Sequence, residues 1–352
     1  MLKSHLSLAS KITQNRLAMA GLARPSLFRL DVAVTYLCDS ACSYCKIWEM
    51  YRKNPELFRK ELSFQDYEKL FESLDISWLH ITGGEPFLKK ELAEIIKLAD
   101  KKINPILIDT STNGFMTGNI LRKVEEILNN TSCKFIVGVS LDGPEIVNNE
   151  SRGIKDAWKK TLNTYLKLKE LKNKFKKFDV HINHFISPMN ILYIDEFLDN
   201  LKEFEIDINE ISIEVARNSV FFQNDEIKID FDKELLIKKL REIYDNYRDS
   251  EITLRNVLRG TYIKEMINFV KGQKTIRCAS GYSSLYLDPY GFVFPCSLMK
   301  TPMGNIKEQN IDDILISKKM DFWREKFKNC QICWSGCEGI TSIIQNLPFS
   351  IY

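Results

Sequence analysis

The stretch Phe28-Arg29-Leu30-Asp31-Val32-Ala33-Val34-Thr35-Tyr36-Leu37-Cys38-Asp39-Ser40-Ala41-Cys42-Ser43-Tyr44-Cys45 runs a strand-forming segment straight into three closely spaced cysteines. Phe28–Tyr36 reads as a buried strand, apolar and rich in β-branched residues. The three thiols that follow are spaced to cap three corners of a cubic [4Fe–4S] cluster. Such a cluster normally takes four cysteines, so one iron is left free to bind a small molecule. A structural zinc site is the alternative. It wants a closed tetrahedral set, and this loop offers three sulfurs and no histidine.

The strand-then-loop unit repeats outward from there. Trp78–Thr82, Pro105–Thr112, Phe135–Ser140, Val180–Ile186 and Glu210–Glu214 read as five more strands. Helical periodicity fills the gaps, as in Leu88, Leu92, Ile95, Ile96 and Ala99, in Trp158, Leu162, Tyr165 and Leu166, and in Ile194, Phe197, Leu198 and Leu201. Six β-α units in succession predict a parallel sheet with right-handed crossovers, closing into a full or partial β/α barrel. Reactive groups then gather at the C-terminal strand ends. Asn183 and Glu214 stand where they can reach that mouth, whereas His181 reads as a satisfied core histidine.

Past about residue 219 the rhythm changes. Two helical stretches, near 231–249 and 256–271, follow one another. Ser284–Leu287 and Phe292–Pro295 then flank Asp288-Pro289-Tyr290-Gly291, a tight-turn sequence that predicts a short hairpin. The expected fold class is therefore α/β, a partial (β/α)6 TIM-like barrel with a small C-terminal α+β domain. The expected units are an N-terminal amphipathic helix at 1–27, a barrel core at 28–225 and a C-terminal domain at 226–352. Residues 1–27 carry Lys3, Lys11, Arg16 and Arg24 and no acid, and Leu2, Leu6, Ala9 and Ile12 can share one helical face. Two readings of that helix stay open: peripheral contact with a membrane surface, or packing across the barrel bottom.

Of the chain's 352 residues, 44% are hydrophobic and 28% charged, and the net charge is +3, the balance expected of a globular chain without a nucleic-acid footprint. No apolar run is long enough to span a bilayer, and no signal peptide is evident. These features predict a cytoplasmic location, with membrane association through residues 1–27 left open. Nine cysteines in such a chain argue for metal rather than disulfides. Cys133 stands alone and reads as a buried thiol. Cys278, Cys296, Cys330, Cys333 and Cys337 bracket the hairpin.

The loop Cys38-Asp39-Ser40-Ala41-Cys42-Ser43-Tyr44-Cys45 resembles the CxxxCxxC signature of radical S-adenosylmethionine (SAM) enzymes, including an aromatic residue, Tyr44, before the last cysteine. Further motifs follow in that family's order, each at a strand end. Gly83-Gly84-Glu85-Pro86 resembles the segment that binds the SAM amino group. Two glycines permit close backbone approach, and a carboxylate accepts from an ammonium. Ser111 and Asn113 after the third strand, and Ser140, Asp142 and Arg152 after the fourth, correspond to groups that hold the SAM ribose and carboxylate. Ordinary turn chemistry is the alternative for Ser140 and Asp142. The Cys278–Gly291–Cys296 spacing and the Gly304-Asn305-Ile306 segment resemble SPASM and twitch extensions, which bind auxiliary clusters. A full SPASM pattern has seven cysteines. Five are present here, so the resemblance implies one auxiliary [4Fe–4S] cluster on Cys278, Cys296, Cys330 and Cys333, with Cys337 able to replace one of the last pair. Two auxiliary clusters, or zinc in a four-cysteine cage, stay open.

What the resemblance implies is reductive cleavage of SAM. One electron breaks a carbon–sulfur bond, giving methionine and a 5′-deoxyadenosyl radical that takes hydrogen from a substrate C–H bond. The implied reducing partner is a flavodoxin or ferredoxin, and no nucleic acid is involved. No catalytic side chain is identified. Peptide-modifying members of the family often carry a leader-binding domain, and only about thirty residues precede the first strand. The expectation is therefore a small-molecule or lipid substrate, with a peptide as the alternative. A non-catalytic cluster or zinc protein is a further alternative, against which the GGEP-like segment and Arg152 argue.

Overall fold

The computed structural model describes residues 2–346, with side chains from residue 8 onward. Six parallel strands, β1 (Arg29–Thr35), β2 (Trp78–Gly83), β3 (Leu107–Thr112), β4 (Lys134–Ser140), β5 (Phe178–Ile186) and β6 (Ile211–Val215), lie side by side in chain order. Three more, β7 (Ser284–Leu287), β8 (Phe292–Phe294) and β9 (Gly304–Asn305), continue the same sheet beyond β1. The partial barrel expected from the sequence is thus present. The hairpin of the expected small C-terminal domain is hydrogen-bonded to its sheet. β7 runs parallel to β1 with Arg29 opposite Ser284, and β8 turns back antiparallel on β7. The physical reason is that β1 would otherwise be an edge with unpaired backbone groups, and β7 satisfies them.

Helix α1 (Leu2–Met19) precedes the sheet, α2 (Ile47–Lys53) and α3 (Phe64–Ser73) follow β1, and α4 (Leu92–Ile103) and α5 (Thr117–Asn130) follow β2 and β3. After β4 come α6 (Glu145–Arg152) and α7 (Ala157–Lys174), and after β5 comes α8 (Ile194–Lys202). Next are α9 (Lys233–Arg248) and α10 (Leu254–Val270), and after the hairpin α11 (Ile311–Leu315), α12 (Lys318–Phe327) and α13 (Gly336–Asn346). Local chemistry sets the ends. Ser63 and Asp66 form a reciprocal capping box at the start of α3, and Asn104 closes α4 in the left-handed conformation. The apolar stripes meet the outer face of the sheet. Leu92, Ile95, Ile96 and Ala99 of α4 are buried with Ile81 and Ile108 in one continuous core, which also takes in Cys133.

The inner face is polar. Along β3 and β6 burial alternates residue by residue, and Ser111, Ser140, Asn183, Ser212 and Glu214 line a shared lumen. Helix α1 sits at the opposite, N-terminal end of the strands. Ile12 packs with Phe28 and Ile344, and Ala18 and Met19 pack with Ala279 and Tyr282. Lys11 is ion-paired to Asp75 at 2.7 Å, and the Asn15 side chain exchanges two hydrogen bonds with the Ser26 backbone. The apolar face differs from the one expected: Ala9 is exposed, and Leu2 and Leu6 lie outside the described side chains. None of the described helices is long and apolar enough to cross a membrane.

Candidate active site

The loop after β1 is built to stay in place. Ala41 N donates to Arg152 O (2.9 Å), Ser43 N to Ser151 O (2.9 Å), and the Trp48 indole to Cys45 O (2.8 Å). The segment joining β6 to α9 clamps the other side. The Asn224 side-chain amide donates to Tyr44 O (2.7 Å), and Lys46 N to Phe222 O (2.8 Å). Phe222 packs edge-on against both Tyr44 and Phe185, while Tyr44 and Phe185 stack at 4.8 Å. Phe221, Phe222 and Asn224, just past residue 219 where the sequence rhythm changes, therefore form part of the site.

Cys38, Cys42 and Cys45 face a cleft that, with the solvent at its open mouth included, holds about 1220 Å³ of atom-free space. Tyr44, Gly83, Gly84, Ser111, Asn113, Ser140 and Arg152 line it too, with Asn183 and Glu214 from the far strands. Burial pushes the Cys45 thiol up to about 12 and raises Cys38 as well. These sulfurs need a cationic partner to ionise, and iron supplies one. Ser40 Oγ lies 3.1 Å from Cys42 Sγ, and Arg152 Nη1 donates to the same sulfur at 3.7 Å. Such hydrogen bonds stabilise a thiolate or cluster sulfur. A three-thiol loop beside a polar lumen is a donor set that fits a site-differentiated [4Fe–4S] cluster.

Two residues expected on the cofactor, Glu85 and Asp142, are not among those that line the cleft. Glu85 lies behind the cleft wall, where Oε1 accepts from Phe87 N (3.0 Å) and Thr112 Oγ1 (2.9 Å), and Oε2 from Asn113 N (2.7 Å). Burial raises it to about 7. In these contacts it braces the β2 and β3 loops. Asp142 is likewise wholly buried. It ion-pairs with Arg152 Nη2 at 2.6 Å and accepts from Tyr44 OH (3.2 Å) and Phe185 N (3.0 Å). In both cases the backbone and side-chain donors of neighbouring loops claim the carboxylate first.

The glycines of the same motif also serve the protein. Gly83 adopts φ +136°, and a Cβ at either Gly83 or Gly84 would collide with the backbone of Thr35, Tyr36 or Leu37. Gly84 N and Glu85 N donate to Thr35 O and Leu37 O, both at 2.8 Å. The motif thus runs along the backbone that leads into Cys38.

The C-terminal cysteines divide. Cys296 lies in the field of Cys278 and Cys333, and Cys333 in that of Cys278 and Cys330. Glu338 stands among them, held by Ser297 N (2.9 Å) and the Ser335 hydroxyl. Trp334 stacks on Tyr262 and donates to Tyr262 O (3.0 Å), covering the group from one side. Cys337 points elsewhere. It lines the cleft, and its nearest charges are Asp31, Arg29, Glu338 and Glu214.

Sequence reasoning passed over the lumen floor. Asp31 of β1 pairs with Arg29 (2.7 Å), and His80 of β2 with Asp109 of β3 (2.8 Å). The signal was there: Arg29 and Asp31, His80, and Asp109 interrupt otherwise apolar or uncharged strands on one face. Arg217 was missed too. It pairs with Glu214 at 3.2 Å, between the cleft and Cys333. His181, read from the sequence as a satisfied core histidine, stands half-buried on the same face of β5 as Asn183, where desolvation and Arg259 push it down to about 3.

Comparison with known proteins gives two family matches. The model of the radical SAM superfamily covers residues 32–201, and that of the SPASM iron–sulfur cluster-binding domain covers 278–338. The sporulation killing factor maturation protein SkfB of Bacillus subtilis (strain 168) is 25% identical over 323 residues, 90% of this chain and 70% of the relative. The antilisterial bacteriocin subtilosin biosynthesis protein AlbA of the same organism is 22% identical over 90% of this chain and 65% of its own length. The chain thus spans about two-thirds of these relatives. Streptococcus suis SuiB bound to precursor peptide SuiA superposes with a TM-score of 0.63 at 16% identity, covering 92% of this chain and 74% of SuiB, a likeness of fold.

Proposed function

Because the chain belongs to the radical SAM superfamily and carries a C-terminal SPASM iron–sulfur domain, we propose that it matures a ribosomally made peptide by abstracting hydrogen from one of its C–H bonds. The observation that carries this reading is that SkfB and AlbA, named for the maturation of a killing factor and the biosynthesis of a bacteriocin, each align over 90% of this chain. That reverses the order expected from sequence alone, which put a small molecule or lipid first. SuiB, of the same fold, is seen with a precursor peptide.

The cofactors are a SAM-binding [4Fe–4S] cluster, SAM and auxiliary iron–sulfur. When bound, they supply a 5′-deoxyadenosyl radical. Cys38, Cys42 and Cys45 would hold the first cluster, and Cys278, Cys296, Cys330 and Cys333 one auxiliary cluster. Gly83, Gly84, Ser111, Asn113, Ser140 and Arg152 line the space SAM would occupy. Tyr44 stacks on Phe185 and, through Asp142 and Arg152, fixes the loop against which SAM would lie. Phe221, Phe222 and Tyr286 give the cleft an apolar wall that keeps water from a radical. Glu214 and Asn183 offer polar contacts to a peptide backbone at the far strands. A flavodoxin or ferredoxin would deliver the electron.

The test is anaerobic reconstitution, dithionite or flavodoxin, SAM and candidate precursor peptides. A peptide mass change, with deuterium carried from labelled peptide into 5′-deoxyadenosine, is expected. An unchanged peptide, with deuterium instead arriving from a lipid or metabolite, refutes the peptide reading.

A further inference from the structure

We propose that Asp31, His80 and Cys337 form a site for a single divalent transition-metal ion at the floor of the cleft, separate from the iron–sulfur clusters. Asp31 and His80 stand opposite each other in the β1–β2 register, and Cys337 enters from the first turn of α13. Their ligand atoms all lie within 4.8 Å of one another, the one such set among the described histidine, cysteine and acidic residues. The cysteines of a cubic cluster stand farther apart because each binds a different iron. A set this tight suits one ion.

The donor types agree. A thiolate, an imidazole and a carboxylate together suit Zn²⁺ or Fe²⁺, and three protein ligands leave a fourth position open, the pattern of a reactive rather than a structural centre. That open position faces the cleft, since all three residues line it.

The surroundings are built to orient these ligands. His80 Nδ1 is held by Asp109 Oδ2 at 2.8 Å, which leaves Nε2 for the ion. The other oxygen of Asp109 is fixed by the Trp78 indole. This is the carboxylate–histidine support that sets the tautomer and basicity of metal-binding imidazoles. Arg29 takes Asp31 Oδ1 and lies 4.0 Å over the Trp78 ring, so the second oxygen of Asp31 remains for a ligand. Charge also closes. Asp31, Asp109 and a Cys337 thiolate carry three negative charges, and Arg29 with a divalent ion carries three positive. The other acids nearby are already engaged: Glu214 by Arg217 and Gly336 N, and Glu338 by Ser297 N and Ser335.

The experiment uses the full chain, reconstituted anaerobically with its clusters, exposed to Zn²⁺ and desalted. About one zinc per chain beyond the cluster iron is expected. Zinc-edge X-ray absorption should show one sulfur near ~2.3 Å with nitrogen or oxygen at ~2.0–2.2 Å. His80→Gln and Cys337→Ser should abolish zinc retention with iron and sulfide unchanged, which also reports an intact fold. Asp109→Asn, which touches no ion, should weaken zinc roughly 10–100-fold. Three results overturn the proposal: no zinc retained by the wild type, a zinc shell of sulfur alone, or loss of iron rather than zinc in Cys337→Ser.

Discussion

Replacing Asp142 with asparagine should do more damage than removing its ion pair altogether. The carboxylate is fully buried, and Arg152, 2.6 Å away, keeps 7% of its side chain exposed. Asparagine preserves volume and an acceptor for Phe185 N, but leaves the guanidinium charged and uncompensated in a dry setting. Breaking a buried pair from one side costs about 3–5 kcal/mol. Weakening the Tyr44 hydrogen bond adds about 1 kcal/mol. A domain's stability is typically ~5–15 kcal/mol, so Asp142→Asn should remove a large fraction and loosen the cysteine loop. The double variant Asp142→Asn/Arg152→Met has no buried charge and should recover most of the loss. A double-mutant cycle by anaerobic urea unfolding measures this, with iron retained per chain as a second readout. A coupling energy above about 2 kcal/mol is expected. Single variants that each cost under about 1 kcal/mol, with additive effects, would refute the brace.

Gly84→Ala places a methyl 2.8 Å from the Leu37 carbonyl carbon, so the backbone before Cys38 must move. Strain of ~1–3 kcal/mol and loss of loop iron are expected, read by unfolding and iron analysis. Glu85 ionises at about 7 in the fold against 4.5 as a free side chain. The folded state therefore keeps a proton that the unfolded chain releases, and stability falls as pH rises from about 4.5 through 7. The whole shift corresponds to roughly 3 kcal/mol, and urea midpoints of wild type and Glu85→Gln should converge on this count as pH falls. Cys38→Ser, Cys42→Ser or Cys45→Ser should each abolish 5′-deoxyadenosine formation and remove about four irons per chain, leaving the C-terminal iron in place.

The strands were legible because their signals are local. Leu79 and Ile81 alternate with His80 and Thr82, and Ile182 stands between His181 and Asn183, and a sheet with one apolar face answers to that. The tight turn at Asp288–Gly291 was legible for the same reason, and Asp288 Oδ1 does accept from Tyr290 N and Phe292 N at 2.9 Å. The partner of β7 was not legible, since which edge a strand joins depends on residues 250 positions away. Nor were the roles of Glu85 and Asp142. A carboxylate in a strand-end turn can face a ligand or collect backbone donors, and only the neighbouring loops decide. His80 was overlooked because one histidine in an apolar strand carries no weight until Asp109 and Asp31 are seen beside it.

The sheet runs without a break from β6 through β1 to β9, so the hairpin that Cys278 and Cys296 flank is stitched laterally to the strand that leads into the first three cysteines. Such a seam does not hinge. The spacing between the Cys38–Cys45 loop and the Cys278–Cys296 hairpin is then a constant of the scaffold. Entry and exit of the proposed peptide fall to the loops at the strand ends, among them the segment carrying Phe221, Phe222 and Asn224 that grips the cysteine loop.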